Sequence, residues 1–387
     1  MRTETRRDNL GSSITPKLIF TLCCFLLASI VPVSAQDQLQ IDRQMNEALE
    51  SIIANPLPGI SVAVANRDGL VWSGSAGFSN LEDRQAISQN HLFGIGDLSN
   101  QFVGVVILQL AAEGFVDLND TPLSILGDPV ANIENADKAT LYQLLNHTSG
   151  IFSWDKDDIW ARHGRGVQMN PKYHWAKDEV LKYITRDSHA ATGIAGEGYA
   201  YSKSNYTILG LIVEKLTGGL LEDEVRERIL VPLNLTNTHY DSYEVPPYNN
   251  LVGSYHLATD QFISKVGINA KFEFGEDRLI NTSGASLSSE GLAGAIISTP
   301  RDLALFAIAL KSGKLVDINS LKAIEQNAAH SEILGFTSDI QWLEEEGLVI
   351  TSFVNMGTVN SGENEINDYL NSYFEKILIP IAKKYAK

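Results

Sequence analysis

The chain alternates between stretches with a two-residue hydrophobic period and stretches apolar on nearly every helical face. "GISVAVANRDGLVWSGSAGFSN" (59–80) holds two short runs of strand-forming residues around an N-R-D-G turn, the signature of a β-hairpin. From Ser99 to Glu113 the apolar residues leave little room for a polar face, which predicts a buried helix. "TLYQLLNHTSGI" (140–151) predicts a second helix ending in a polar loop, and "SNYTILGLIVEKLTGG" (204–219) a third, stopped by paired glycines. "STPRDLALFAIALKSG" (298–313) predicts a fourth, with Ser or Thr placed to cap it and Pro near its first turn. Towards the end, "GFTSDIQWL" and "GLVITSFVNMG" read as strands separated by "EEE", and "NDYLNSYFEKILIPIAKKYA" as a closing helix.

Strands near both ends with helices between them predict one sheet assembled from distant segments. The expected fold class is α/β of the α+β type: a central antiparallel sheet flanked by helices, with a mostly helical inserted region. The sheet part is expected at roughly 45–115 and 265–387, and the helical part at roughly 116–264. No internal repeat and no long low-complexity linker interrupts this plan. The stretch 152–196 is less regular, and Trp154, Trp160 and Trp175 within it either line a cleft or anchor the segment to the core.

The first 35 residues differ from the rest. Arg2, Arg6, Arg7 and Lys17 precede "LIFTLCCFLLASIVPV", and "VSA" stands before Gln36, the pattern of a signal peptide with its cleavage site. The apolar run is short for a membrane span, so cleavage is expected rather than a stable membrane anchor. Cys23 and Cys24 both lie inside it, so residues 36–387 contain no cysteine. Disulfides, thiol catalysis and cysteine metal sites are thereby excluded from that portion, and an exported, periplasmic or secreted bacterial protein is expected. The net charge of −17 becomes −19 when four basic and two acidic side chains leave with the leader. Such an acidic balance excludes nucleic acid and anionic membrane as expected partners. Four N-x-[ST] sequons, at Asn146, Asn205, Asn234 and Asn281, are expected to be chance matches in a bacterial chain.

Five segments carry candidate chemistry: "FGIGDLSNQF … ILQLAAEG", "LLNHTSGI", "AGEGYAYSKSNYTILGLIVEKLTG", "LAGAIISTPRDLALF" and "AAHSEILGFTSDIQW … LVITSFVN". In this order and spacing they resemble the serine β-lactamase and DD-peptidase-like family. The similarity is greatest to the branch with class C β-lactamases and related esterases and peptidases, and it covers nearly all of residues 45–380. The resemblance implies a Ser-x-x-Lys motif at a helix start, where a spacing of three puts nucleophile and lysine on one face. It also implies a Tyr-x-Asn motif, and a Lys-Thr-Gly or His-x-Gly motif on an edge strand.

Mapped onto those motifs, the chain departs where the chemistry lies. Asp97 stands for the serine and Asn100 for the lysine; Tyr201 fits the tyrosine, but Lys203 replaces the asparagine. His330 fits the third motif's first position, followed by Ser331 and by Glu332 in place of glycine. His147 to Gly150 ("HTSG") is taken as scaffolding. Two other serines are candidate nucleophiles. Ser99, two residues past Asp97, lies roughly 200° around the helix and faces away. Ser153 begins "SWDK", a Ser-x-x-Lys match that chance alone supplies and that opens no buried helix. An aspartate is a poor substitute nucleophile for amide hydrolysis, because its acyl intermediate is an anhydride, and asparagine does not titrate.

Two readings of Asp97 remain open on the sequence. It suits a helix N-cap, facing the exposed N–H groups there, and, with or without that role, it is expected to pair with Lys203 at ~3–4 Å. The functional expectation is a non-hydrolytic relative binding a small-molecule or peptide ligand, of cell-wall origin or amide-containing, with Asn100 and Glu332 as binding residues. The alternatives are an enzyme with changed acid–base chemistry (lyase, isomerase or esterase) on Asp97, Lys203, Tyr201 and His330, or a residual family hydrolase. No cofactor is expected. No metal is expected either, because the histidines lack ligand spacing beside carboxylates.

Overall fold

The computed structural model describes residues 35–53, 57–246, 250–275, 277–327, 329–362 and 365–386. The expected leader therefore lies outside the described residues, except that Ala35 opens the first helix, α1 (Ala35–Ile52).

The hairpin forms as expected: β1 (Gly59–Asn66) pairs antiparallel with β2 (Gly69–Asn80), and a short β3 (Gln85–Ala86) follows β2 at the sheet edge. The far end of the chain supplies β4 (His330–Ile333), β5 (Phe336–Leu343) and β6 (Leu348–Val354). The six lie in the order β4-β5-β6-β1-β2-β3, every pair antiparallel. The junction is β1 against β6, with Ile60 opposite Val354 and Val64 opposite Ile350. This is the sheet assembled from distant segments that the strand positions imply.

Both faces of that sheet are covered, which is why β1 and β6 are buried almost throughout. Ile60, Val62 and Val64 point to a core shared with α1 and the C-terminal helices. Ala63, Ala65, Val349 and Phe353 point to a larger core shared with the helical region. There lie α2 (Ser99–Ala112), buried on all sides, α3 (Asp158–Gly164), α4 (Lys203–Thr217) and α5 (Pro300–Lys311). The caps of the last two follow the sequence: Gly218 takes the left-handed conformation after α4, and Thr299 accepts from Asp302 N before Pro300.

The helix expected within 140–151 is only Leu141–Leu145, closed by a Thr140–Gln143 capping box. The closing helix begins as α6 (Glu365–Tyr373) and runs on through wider and tighter turns to Ala386. The region expected to be mostly helical also holds short strands, His239–Tyr240 and Tyr255–Leu257, each in a small separate sheet. Trp154, Trp160 and Trp175 are all buried, so they anchor the irregular stretch.

Candidate functional site

The site is built where α2 begins. A tight turn, Gly96–Leu98, leads into the helix, and Gly96 adopts φ +50°. A side chain there would be strained in backbone and would collide with Ser331 Oγ on β4. The glycine thus lets the turn press against the strand, and the Asp97 N–H donates to Ser331 Oγ at 2.7 Å. Asp97 is not an N-cap: its side chain accepts no capping hydrogen bond, and Leu98 occupies the cap position. The carboxylate points elsewhere.

It points at Lys203. The expected pair forms, with Nζ 2.8 Å from Asp97 Oδ1. Lys203 is the first residue of α4, where the helix dipole disfavours a cation. A second carboxylate offsets that cost: Nζ also donates to Glu290 Oε2 at 2.9 Å. Glu290 in turn is gripped by Arg165 from the end of α3, with Nε to Oε1 at 3.0 Å and Nη2 to Oε2 at 3.1 Å. Aspartate, lysine, glutamate and arginine therefore form an alternating chain of charge through the interior, with Lys203 and Glu290 side chains each 2% exposed. Both cations rest on indoles: Nζ of Lys203 is 5.5 Å from the Trp154 ring centre, and the Arg165 guanidinium 4.7 Å from that of Trp160.

The fields within this chain follow from burial and neighbours. Burial alone would raise Glu290, but Arg165 and Lys203 together hold its carboxyl below the usual range. Burial alone would strip the proton from Lys203, yet Asp97 and Glu290 outweigh it and hold the ammonium charged. Asp97 moves the other way. Burial pushes its carboxyl up against the pull of Lys203, with repulsion from Asp155 and Glu290 in the same direction.

Of the remaining expected residues, Asn100 and Tyr201 join this centre. Asn100 lies one helical turn beyond Asp97, is fully buried, and donates from Nδ2 to Tyr201 Oη at 2.9 Å. Burial and then the nearby Asp97 and Asp155 charges raise Tyr201 well above the ordinary phenol value. His330 and Glu332 do not join it. Side chains alternate along a strand, and Ser331 is the β4 residue facing Asp97. His330 faces the other side, with Nδ1 2.6 Å from Asp339 Oδ1 on β5 and Nε2 3.1 Å from Glu332 Oε1. Glu332 accepts from Thr358 Oγ1 at 2.8 Å and from Asn367. Asp339 and Glu332 thus form a separate acidic clamp around His330.

The scaffolding segment is tied to α4. His147, at φ +58°, accepts from Ser202 N at 3.2 Å through Nδ1, and Ser149 Oγ donates to Asn205 Oδ1 at 2.7 Å. Burial lowers His147 to about 4, so its ring is neutral. None of the serines near this centre is open. Ser99 is 0%, Ser153 1% and Ser331 2% exposed. Ser153 Oγ accepts from the Lys203 N–H at 2.9 Å and donates to Asp155.

Glu290 and Arg165 escape motif reading, which names Ser331 only as the residue between His330 and Glu332. Arg165 sits in the irregular stretch and Glu290 in a turn of "SLSSEGLAG", and neither spacing carries a signal of its own.

A family model described as Beta-lactamase matches residues 42–351, most of the sequence, and the chain belongs to that family. The chain is 24% identical over 235 residues to Protein flp of Staphylococcus aureus, covering 60% of this chain and 44% of that protein. It is 30% identical over 180 residues to penicillin-binding protein 4 of Amycolatopsis lactamdurans, covering 46% of this chain and 44% of the relative. The chain thus spans under half the length of these curated relatives. Among solved structures, the D-amino acid amidase of Ochrobactrum anthropi SV3 complexed with L-phenylalanine is similar at TM-score 0.74 and 20% identity, over 87% of this chain and 99% of that one. FmtA of Staphylococcus aureus is similar at TM-score 0.64 and 18% identity, over 90% of each chain. At these identities the structures speak for the fold, which is the mixed β-lactamase and penicillin-binding-protein architecture.

Proposed function

We propose that this family member binds a peptide- or amide-like ligand at the partly exposed Asp97 without acyl-serine hydrolysis, after export and removal of residues 1–35. One observation carries the reading: the amine paired at the head of α2 is Lys203, and it is held by two carboxylates. A lysine so paired takes no proton from a nucleophile, and the neighbouring serine hydroxyls are buried. Loss of such a nucleophile costs on the order of 10⁶ in turnover. The similarity to an amidase complexed with an amino acid supports a ligand of amino-acid or peptide type.

Incubation of the purified chain with a fluorescent penicillin tests this. No covalent label is expected; a labelled band removed by substituting one serine would restore the acyl-serine hydrolase reading. Export is checked by the intact mass of protein recovered outside the cytoplasm, which should begin at Gln36.

A second reading rests on Asp97 itself, whose raised carboxyl beside Tyr201 suits proton transfer. It requires turnover of some component of a metabolite or cell-wall pool that Asp97→Asn abolishes.

A further inference from the structure

This inference rests on Asp97 being a ligand site, as proposed above, and names the chemistry of the ligand. Five ionisable side chains act on one another there: the carboxylates of Asp97, Asp155 and Glu290, and the cations of Lys203 and Arg165. Three negative charges against two positive ones leave one negative charge uncompensated. Asp155 accepts from Ser153 Oγ and pairs with no basic side chain among the described residues. The two cations are sealed inside, with side chains 2% and 1% exposed, whereas the Asp97 side chain is 14% exposed. What this centre shows to solvent is a carboxylate.

A second observation is independent of charge. Asn100 is fully buried on the same helix face as Asp97, its Nδ2 is occupied by Tyr201, and its Oδ1 accepts no hydrogen bond. Buried polar atoms are seldom left so in a native protein. The centre presents acceptors and keeps its strongest donors, Lys203 and Arg165, engaged with Asp97 and Glu290. Tyr199, 54% exposed and close enough to feel the Asp97 charge, adds an aromatic surface.

We propose that the ligand supplies the missing cation: the primary ammonium of an amino-acid amide or short peptide, held by the open edge of Asp97. An ammonium carries three donors and no acceptor, matching an acceptor-rich centre, and a neighbouring ring favours it further. A ligand presenting a carboxylate would instead meet Asp97 and Asp155, with Lys203 and Arg165 already engaged.

Calorimetric titration of the full chain with phenylalanine amide, N-acetylphenylalanine amide and N-acetylphenylalanine tests the assignment. Phenylalanine amide should bind ~10-fold or more tightly than its acetylated form, with affinity falling as salt rises. Asp97→Asn should erase that preference, and Asp155→Asn should reduce it in part. The acetylated amide should be indifferent to both substitutions. Equal or tighter binding of either acetylated compound overturns the ammonium assignment and leaves the ligand-binding reading standing. No binding of any of the three to the folded wild-type chain counts against both. Should Asp97→Asn fail to fold, the acetylation contrast in the wild type and in Asp155→Asn decides.

Discussion

Two charged clusters lie on opposite faces of the same edge strand. Behind Ser331, Asp97, Lys203, Glu290 and Arg165 alternate in sign through the interior. On the other face His330 sits between Asp339 and Glu332, with 46% of its side chain in solvent. The contacts have similar lengths, but their consequences differ because water competes for one cluster and not for the other. In the interior each charge is held only by its neighbours, so removing one strands the next. At the surface, solvent replaces a lost partner at little cost.

The largest expected effect follows from breaking the interior chain at its centre. Lys203→Met leaves Asp97 and Glu290 facing each other without their shared cation, and should lower unfolding stability by about 3–5 kcal/mol in denaturant titration. A loss near zero would mean that water reaches the centre and that the burial argument fails.

Histidine titration sharpens the same contrast with opposite signs. His147 and His256 are buried, and burial lowers them to about 4 and about 3. Their unfolded forms bind protons first, so the stability they contribute is full above pH ~6.5 and is lost as pH falls towards those values, at most about 3 kcal/mol for His147 and about 5 kcal/mol for His256. Asp339 and Glu332 raise His330 to about 10, so its contribution is full below pH ~6.5 and is lost as pH rises through 10. In ring NMR spectra His147 and His256 should remain neutral at pH ~5 while His330 remains charged at pH ~8. A His330 that titrates near the free value would dissolve the surface clamp.

Asp97→Asn should cost less than Lys203→Met, about 1–2 kcal/mol, because Lys203 keeps Glu290 and the lost carboxylate was itself opposed by burial. A loss as large as that of Lys203→Met would place Asp97 at the structural centre of the network. His330→Gln should cost no more than Asp97→Asn at neutral pH, about 1–2 kcal/mol: it removes the charge that Asp339 and Glu332 hold, but half of the side chain is in water and solvent screens the clamp.

The sequence by itself determined the scaffold. Periodicity marked the β1–β2 hairpin, the all-apolar α2, the glycine stop after α4 and the two strands that flank "EEE", because those features are local and repeat every two or 3.6 residues. Motif order also places Asp97 and Lys203 together, and the two pair at 2.8 Å. Only the tertiary structure decided who completes the site. Glu290 and Arg165 come from segments with no regular period, and their meeting with Lys203 depends on three helical elements closing over one another. Side-chain direction was decided there too. A one-residue alternation on β4 turned Ser331 towards Asp97 and sent His330 and Glu332 to the opposite face. Motif spacing counts residues along a strand, whereas chemistry depends on the side of the sheet each residue faces, and only strand register and the packed neighbours fix that side.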